Sequence, residues 1–128
     1  MRPPTPADEL ARLEALRRYD VLDSETEQAF DDLTALAASI CGTPISLITL
    51  VDADRQWFKS RVGLDLEETP RTISFCGHAM LADGLFVVPD TGEDRRFAGN
   101  PLVVAGPEIR FYAGKPLMTP EGHALGAL

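Results

Sequence analysis

Ile45-Ser46-Leu47-Ile48-Thr49-Leu50-Val51-Asp52-Ala53-Asp54-Arg55-Gln56-Trp57-Phe58-Lys59-Ser60-Arg61-Val62 is the stretch that decides the fold. Ile45, Leu47, Thr49 and Val51 alternate with Ser46, Ile48 and Leu50, so both faces are largely apolar and the segment reads as a strand covered on two sides. Asp52-Ala53-Asp54 reads as a turn, and Gln56 to Val62 as the returning strand, ended by Gly63. Antiparallel pairing follows. Trp57 and Phe58 are neighbours in that strand and must face opposite ways, which predicts core packing on both sides.

Upstream, Thr5 followed by Pro6, with Asp8 and Glu9 next, predicts a helix running to about Arg18 with Leu10, Leu13 and Leu16 as its apolar stripe. Ser24 and Glu27 have capping-box spacing and predict the start of a second helix. Phe30, Leu33, Ala37 and Ile40 recur at helical spacing, Gly42 suits a left-handed closing position, and Pro44 prevents continuation.

Downstream, Asp65 to Arg71 is acidic and turn-like, and Thr72 or Ser74 can cap a short helix carrying Phe75, Cys76, His78 and Met80. Leu85 to Val88 reads as a short strand closed by Pro89. Asp90 to Pro107 is rich in glycine, proline and polar residues, which suggests a functional loop or lid. Ile109 to Leu117 reads as a strand whose Gly114 and Pro116 interrupt regular pairing, joined in a hairpin to His123–Leu128 around Thr119-Pro120-Glu121-Gly122. This order predicts an α+β domain with helices on one face of an antiparallel sheet. The connections of residues 63–107 then roof the other face, and a sheet covered by loops commonly encloses a pocket.

At 128 residues the chain suits one domain, able to bury about 65–70% of the surface its unfolded form exposes. The composition, 45% hydrophobic and 25% charged, is that of a globular protein. A net charge of −8 repels phosphate backbones and anionic lipid surfaces, and Arg17-Arg18 and Arg95-Arg96 are isolated pairs. Neither a nucleic-acid nor a membrane partner is expected. No apolar run reaches spanning length. The Met-Arg-Pro-Pro start lacks the apolar core of a secretory signal, so a cytoplasmic location with Cys41 and Cys76 as reduced thiols is expected.

Several segments in order resemble the GAF family, in particular the subgroup found at the front of bacterial sensor histidine kinases and diguanylate cyclases. They are Leu16-Arg17-Arg18-Tyr19-Asp20-Val21-Leu22-Asp23, Val51-Asp52-Ala53-Asp54-Arg55-Gln56-Trp57-Phe58-Lys59, Ser74-Phe75-Cys76-Gly77-His78-Ala79, Asp94-Arg95-Arg96-Phe97, Asn100-Pro101 and Phe111-Tyr112-Ala113-Gly114. The resemblance covers about Ala11 to Leu128. It implies a GAF-like fold, profilin-like and related to PAS, with residues 1–23 as N-terminal helix and linker and 24–128 as the core. It also implies a non-catalytic sensory domain that binds a small molecule or senses redox state, dimerises through terminal helices and controls an attached kinase or cyclase. The cofactor stays unspecified. Within that architecture the ligand-facing residues are Phe75, Cys76, His78, Asp90, Arg96, Phe97, Phe111 and Tyr112. Such domains extend the last strand and add a helix beyond the position of Leu128, so an open strand edge and self-association are expected.

Cys76 and His78 lie about 200° apart on a helix but share a face in extended chain. A thiolate beside an imidazole would suit redox sensing, or bilin attachment as in photoreceptor members of the family, though those place cysteine directly before histidine whereas here Gly77 intervenes. The plainer reading is a buried core cysteine and a histidine bonded to backbone. A metal site would need Cys76, His78, His123 and a carboxylate to converge without any close ligand spacing, and none is expected. A thiol enzyme resembling free methionine sulfoxide reductases, acting through Cys76, is the alternative reading. The Asp94-Arg95-Arg96-Phe97 segment could set Arg96 over the pocket to meet an anion, or pair it with a neighbouring acid. The signature of cyclic-nucleotide-binding members is not found.

Overall fold

A computed structural model describes all 128 residues. Two helices, α1 (Glu9–Arg18) and α2 (Gln28–Cys41), precede the hairpin of β1 (Ser46–Val51) and β2 (Arg55–Val62), followed by the short β3 (Glu68–Pro70). Then come α3 (Phe75–Ala79), β4 (Phe86–Val88), α4 (Pro101–Val104), β5 (Tyr112–Gly114), β6 (Pro116–Met118) and β7 (Ala124–Ala127). The main sheet has the order β3-β2-β1-β7-β6 with every pair antiparallel, and β4 and β5 form a separate two-stranded sheet. This is the predicted α+β arrangement. No helix is long and apolar enough to cross a membrane.

The alternation in β1 sorts the core into two layers. Leu50 and Trp57 meet Ala15 and Leu16 of α1 and Leu125 of β7 on one face. Val51, Ala124 and Ala127 meet Cys76, Ala79 and Met80 on the other. A bulge opposite Ile48 and Thr49 makes Lys59 the extra residue, so Lys59 and Ser60 both turn towards the helices. There Ser60 Oγ hydrogen-bonds Thr34 Oγ1 at 2.7 Å and Asp31 Oδ1 at 2.6 Å, anchoring α2.

The helix boundaries differ from the sequence reading. α1 begins at Glu9, because Pro6 and Asp8 lie in a preceding turn, and its buried face is Arg12, Leu13, Ala15 and Leu16, leaving Leu10 in solvent. The Ser24–Glu27 capping box does not form, because Lys59 Nζ engages both residues, bonding Ser24 Oγ at 2.8 Å and Glu27 Oε2 at 2.6 Å. A buried ammonium needs these acceptors more than an exposed helix end needs a cap. Gly42 closes α2 in the left-handed conformation at φ 65°, as predicted. The apolar stripe of α2 is not buried: Leu33 and Ile40 are 50% and 74% exposed, and Thr34 points at the sheet instead.

Two further corrections concern the second half. Ile109–Leu117 is not one strand: Lys115 separates β5, which pairs with β4, from β6, which pairs with β7. The breaks at Gly114 and Pro116 thus mark a change of sheet. The Asp90–Pro107 segment is packed rather than free, with Thr91, Phe97, Asn100 and Val103 all buried. Thr91 Oγ1 donates to the Ile109 carbonyl at 2.6 Å, and Asn100 Nδ2 to that of Ile73 at 3.0 Å.

Glu9 ties α1 to the hairpin. Its carboxylate accepts from Arg12, whose guanidinium is buried, and from Arg71 Nη1 and Nη2 at 2.7 and 3.0 Å. Arg71 in turn donates to the Asp52 carbonyl at 3.0 Å. Burial alone would raise the Glu9 carboxyl, but the bonds from Arg71 and then Arg12 outweigh it and hold the group at about 2, against 4.5 when free. A depressed carboxyl contributes stability in full above its unfolded value and loses it as pH falls from about 4.5 to about 2. Glu9→Gln should therefore cost on the order of 2 kcal/mol at pH 7, with the gap to the parent narrowing below pH 4.5 in urea titrations. Gly126 offers a second check, since a side-chain carbon there would collide with the Thr49 carbonyl of β1. Gly126→Ala should cost more than about 2 kcal/mol, whereas Gly99→Ala, which faces open space, should stay within about 0.5 by the same measurement.

Candidate functional site

α3 builds the face opposite α1 and α2. Ser74 opens it by accepting from the Gly77 amide at 3.2 Å while donating to the Arg71 carbonyl at 2.7 Å. The helix then sends successive side chains different ways. Phe75 stacks on Phe97 with ring centroids 4.5 Å apart and meets Tyr112 edge-on at 5.1 Å. His78 lies edge-on to Phe97 at 4.8 Å. Phe86 of β4 joins the group 6.3 Å from Phe97 and 6.1 Å from Tyr112. Together with Val88 and Val103 these rings fill the space under the Asp90–Pro107 connection.

Cys76 does not meet His78. Its sulfur lies 3.1 Å from the Tyr112 hydroxyl, and its amide donates to Gln56 Oε1 at 3.3 Å. Burial pushes the Cys76 thiol up, with bonds from Thr49 and Tyr112 offsetting this only in part. The buried Tyr112 phenol is pushed well up for the same reason, reinforced by the sulfur. This is the reverse of an activated nucleophile, which needs a cation or base at the sulfur. His78 is held below its ordinary range by burial, against the opposing bond to the Met1 carbonyl, while Arg96 and the N-terminal ammonium lower it further. Neutral His78 thus carries its proton on Nε2 and donates to Met1 O at 3.2 Å.

Arg96 reaches the same group from the connection. Its guanidinium sits 4.9 Å over Phe86 and 5.5 Å over Phe97. Nε and Nη2 grip Asp94 at 2.9 and 2.7 Å, a bond that holds Asp94 at about 2. Of the eight residues expected at the site, Phe75, Cys76, His78, Arg96, Phe97 and Tyr112 therefore converge. Two do not: Asp90 is exposed and accepts from the Gly92 amide at 3.0 Å, and Phe111 is 51% exposed because its neighbour Tyr112 takes the inward position. Sequence reading missed Phe86 and Gln56. The inward parity of β2 points to Gln56, but no local signal marks Phe86. No group of three or more histidine, cysteine or acidic side chains converges in metal-binding fashion.

The helix face carries a half-open cleft of about 360 Å³, floored by Ile48, Leu50, Leu117 and Leu125 and walled by Phe30 and Val21. Lys59 lies in it, but its three donors are already used by Ser24 Oγ, the Glu25 carbonyl and Glu27. Its ammonium is therefore not free to meet an anion.

The family model for GAF domains matches residues 25–128. A cyclic di-GMP phosphodiesterase of Pseudomonas aeruginosa is 45% identical over 126 residues, which is 98% of this chain but 22% of that protein. The chain thus spans about a fifth of that relative's length. Two solved structures share the fold. The GAF domain of an Acinetobacter phosphoenolpyruvate-protein phosphotransferase has TM-score 0.59 and 16% identity, covering 91% of this chain and 73% of that one. The nlh2 GAF domain of A. aeolicus, in an inactive state, has TM-score 0.58 and 15% identity, covering 94% and 76%.

The two thiols should behave oppositely. Exposed Cys41 should react with a disulfide reagent such as Ellman's at the rate of a free thiol, and buried Cys76 only after denaturation. Two equally fast thiols in the native protein would contradict the burial and bonding of Cys76.

Proposed function

We propose that this chain, which belongs to the GAF family, is a non-catalytic sensory module that controls an attached output acting in cyclic di-GMP turnover. The observation that carries this reading is the 45% identity along nearly the whole chain to a part of a much longer cyclic di-GMP phosphodiesterase. A segment that recurs within a larger signalling enzyme, and whose α3 thiol is buried and unactivated, suits regulation better than catalysis. Of the outputs the resemblance implies, this relative favours cyclic di-GMP chemistry over a histidine kinase.

Signal would enter at the α3 face, where His78, Arg96 and the aromatic group supply a donor, a cation and flat apolar walls for a small molecule. It would leave through the helices. At 100° per residue Leu33, Leu36 and Ile40 fall on the flank of α2 that Phe30 begins, beside the 360 Å³ cleft, and all three are at least half exposed. A continuous apolar flank of this kind favours self-association or a further helix of the same polypeptide. A cytoplasmic location accords with this role and with two unbridged cysteines.

The test is an assay of the polypeptide encoded by the complete reading frame, with and without residues 1–128. Removal should change the rate of cyclic di-GMP hydrolysis or synthesis by about fivefold or more, the range of ordinary allosteric coupling. Equal rates, or no cyclic di-GMP chemistry in the full-length protein, would overturn the reading.

A further inference from the structure

The covers over the α3 face are held very unequally. The Asp90–Pro107 connection is rooted by four buried side chains and by bonds to two other segments. The N-terminal segment Met1–Pro6 also crosses this face, yet it has no regular structure, and Pro3 is its single buried residue. Three contacts hold its outer end. Pro3 packs on Gly77, its ring carbons 2.8 and 3.0 Å from where a side chain on that glycine would begin, so only glycine lets the segment lie so close. The Met1 carbonyl accepts from His78 Nε2 at 3.2 Å. The Met1 ammonium donates to the Arg96 carbonyl at 2.9 Å, bridging to the connection in an exposed setting.

The groups beneath are chemically specific. His78 Nε2 is a hydrogen-bond donor whose acceptor is supplied by this strap alone. Arg96 spends Nε and Nη2 on Asp94, leaving Nη1 without a protein partner above the Phe86 and Phe97 rings. A donor, a half-used guanidinium fork and two aromatic rings suit a planar aromatic anion.

We propose that Met1–Pro6 is an intramolecular plug whose Met1 carbonyl and Pro3 ring occupy the mouth between His78, Gly77 and Arg96, so that a planar aromatic anion binds there only when the strap lifts. This rests on reading the α3 face as the ligand face. Binding is then weakened by the fraction of molecules with the strap down.

Pro3→Asp tests it by placing a charge at the strap's one buried position. Reaction of His78 with diethyl pyrocarbonate, followed by peptide mass mapping, reports the strap without any ligand. Titration with 8-anilinonaphthalene-1-sulfonate reports the site. Pro3→Asp should raise the His78 rate about tenfold and tighten dye binding about fivefold or more, and adding Arg96→Ala should remove the gain in affinity. Far-UV circular dichroism and a thermal melt confirm that both variants fold. An unchanged His78 rate overturns the plug and leaves the ligand-face reading standing. A faster His78 with no gain in dye affinity overturns the gating and, with it, this face as the place of ligand entry. A gain that survives Arg96→Ala overturns the assignment of the mouth.

Discussion

The two-sided burial of β1 is the constraint on which the rest of the molecule depends. Ile48, Leu50 and Val51 are all buried although they point to opposite faces of the sheet. Apolar side chains on both faces must be removed from water, at roughly 25 cal/mol for each Å² covered, so the sheet needs two separate covers. Helices α1 and α2 supply one. The other is assembled from α3, the small β4–β5 sheet and the Asp90–Pro107 connection, which are too short to be stable alone and so form a core of their own around Phe75, Val88, Phe97 and Val103.

Charged and polar groups at the seams of these layers are drawn into the interior only where partners await them. Arg12, Lys59 and Gln56 are all buried, and no buried side-chain nitrogen or oxygen lacks a hydrogen-bond partner. Glu9 joins Arg12 and Arg71, and Lys59 gathers Ser24, Glu25 and Glu27. Each cluster fixes a helix against the sheet at a defined place, and removing one member would strand the other charge in a poorly solvated site. The bulge at Lys59 makes the second cluster possible, since without it Lys59 or Ser60 would face the opposite layer.

The α3 face is closed in this structure. Phe97 is fully buried and Tyr112 partly so, with the Cys76 sulfur 3.1 Å from the phenol. A small molecule can enter only by displacing something, and the element held by the fewest contacts is the first to yield. The irregular N-terminal strap is that element. The helix face presents the complementary arrangement: its cleft is open, but its lysine is fully engaged and its exposed flank is apolar.

The sequence by itself determined the class of fold, the β1–β2 hairpin, a short helix capped by Thr72 or Ser74, the Gly42 stop and the β6–β7 turn, because each rests on residues within a few positions of one another. Of the eight residues that the family resemblance pointed to, six lie on one face. Phe111 turns outward because its neighbour Tyr112 faces inward, and Asp90 lies beyond the end of β4, where its carboxylate accepts from the Gly92 amide. Only the tertiary structure decided that Lys59 dissolves the Ser24–Glu27 cap, that the apolar flank of α2 lies open, and that Met1 reaches His78 and Arg96. The first and last of these are set by contacts between residues 32 to 95 positions apart, which leave no periodic trace in the chain.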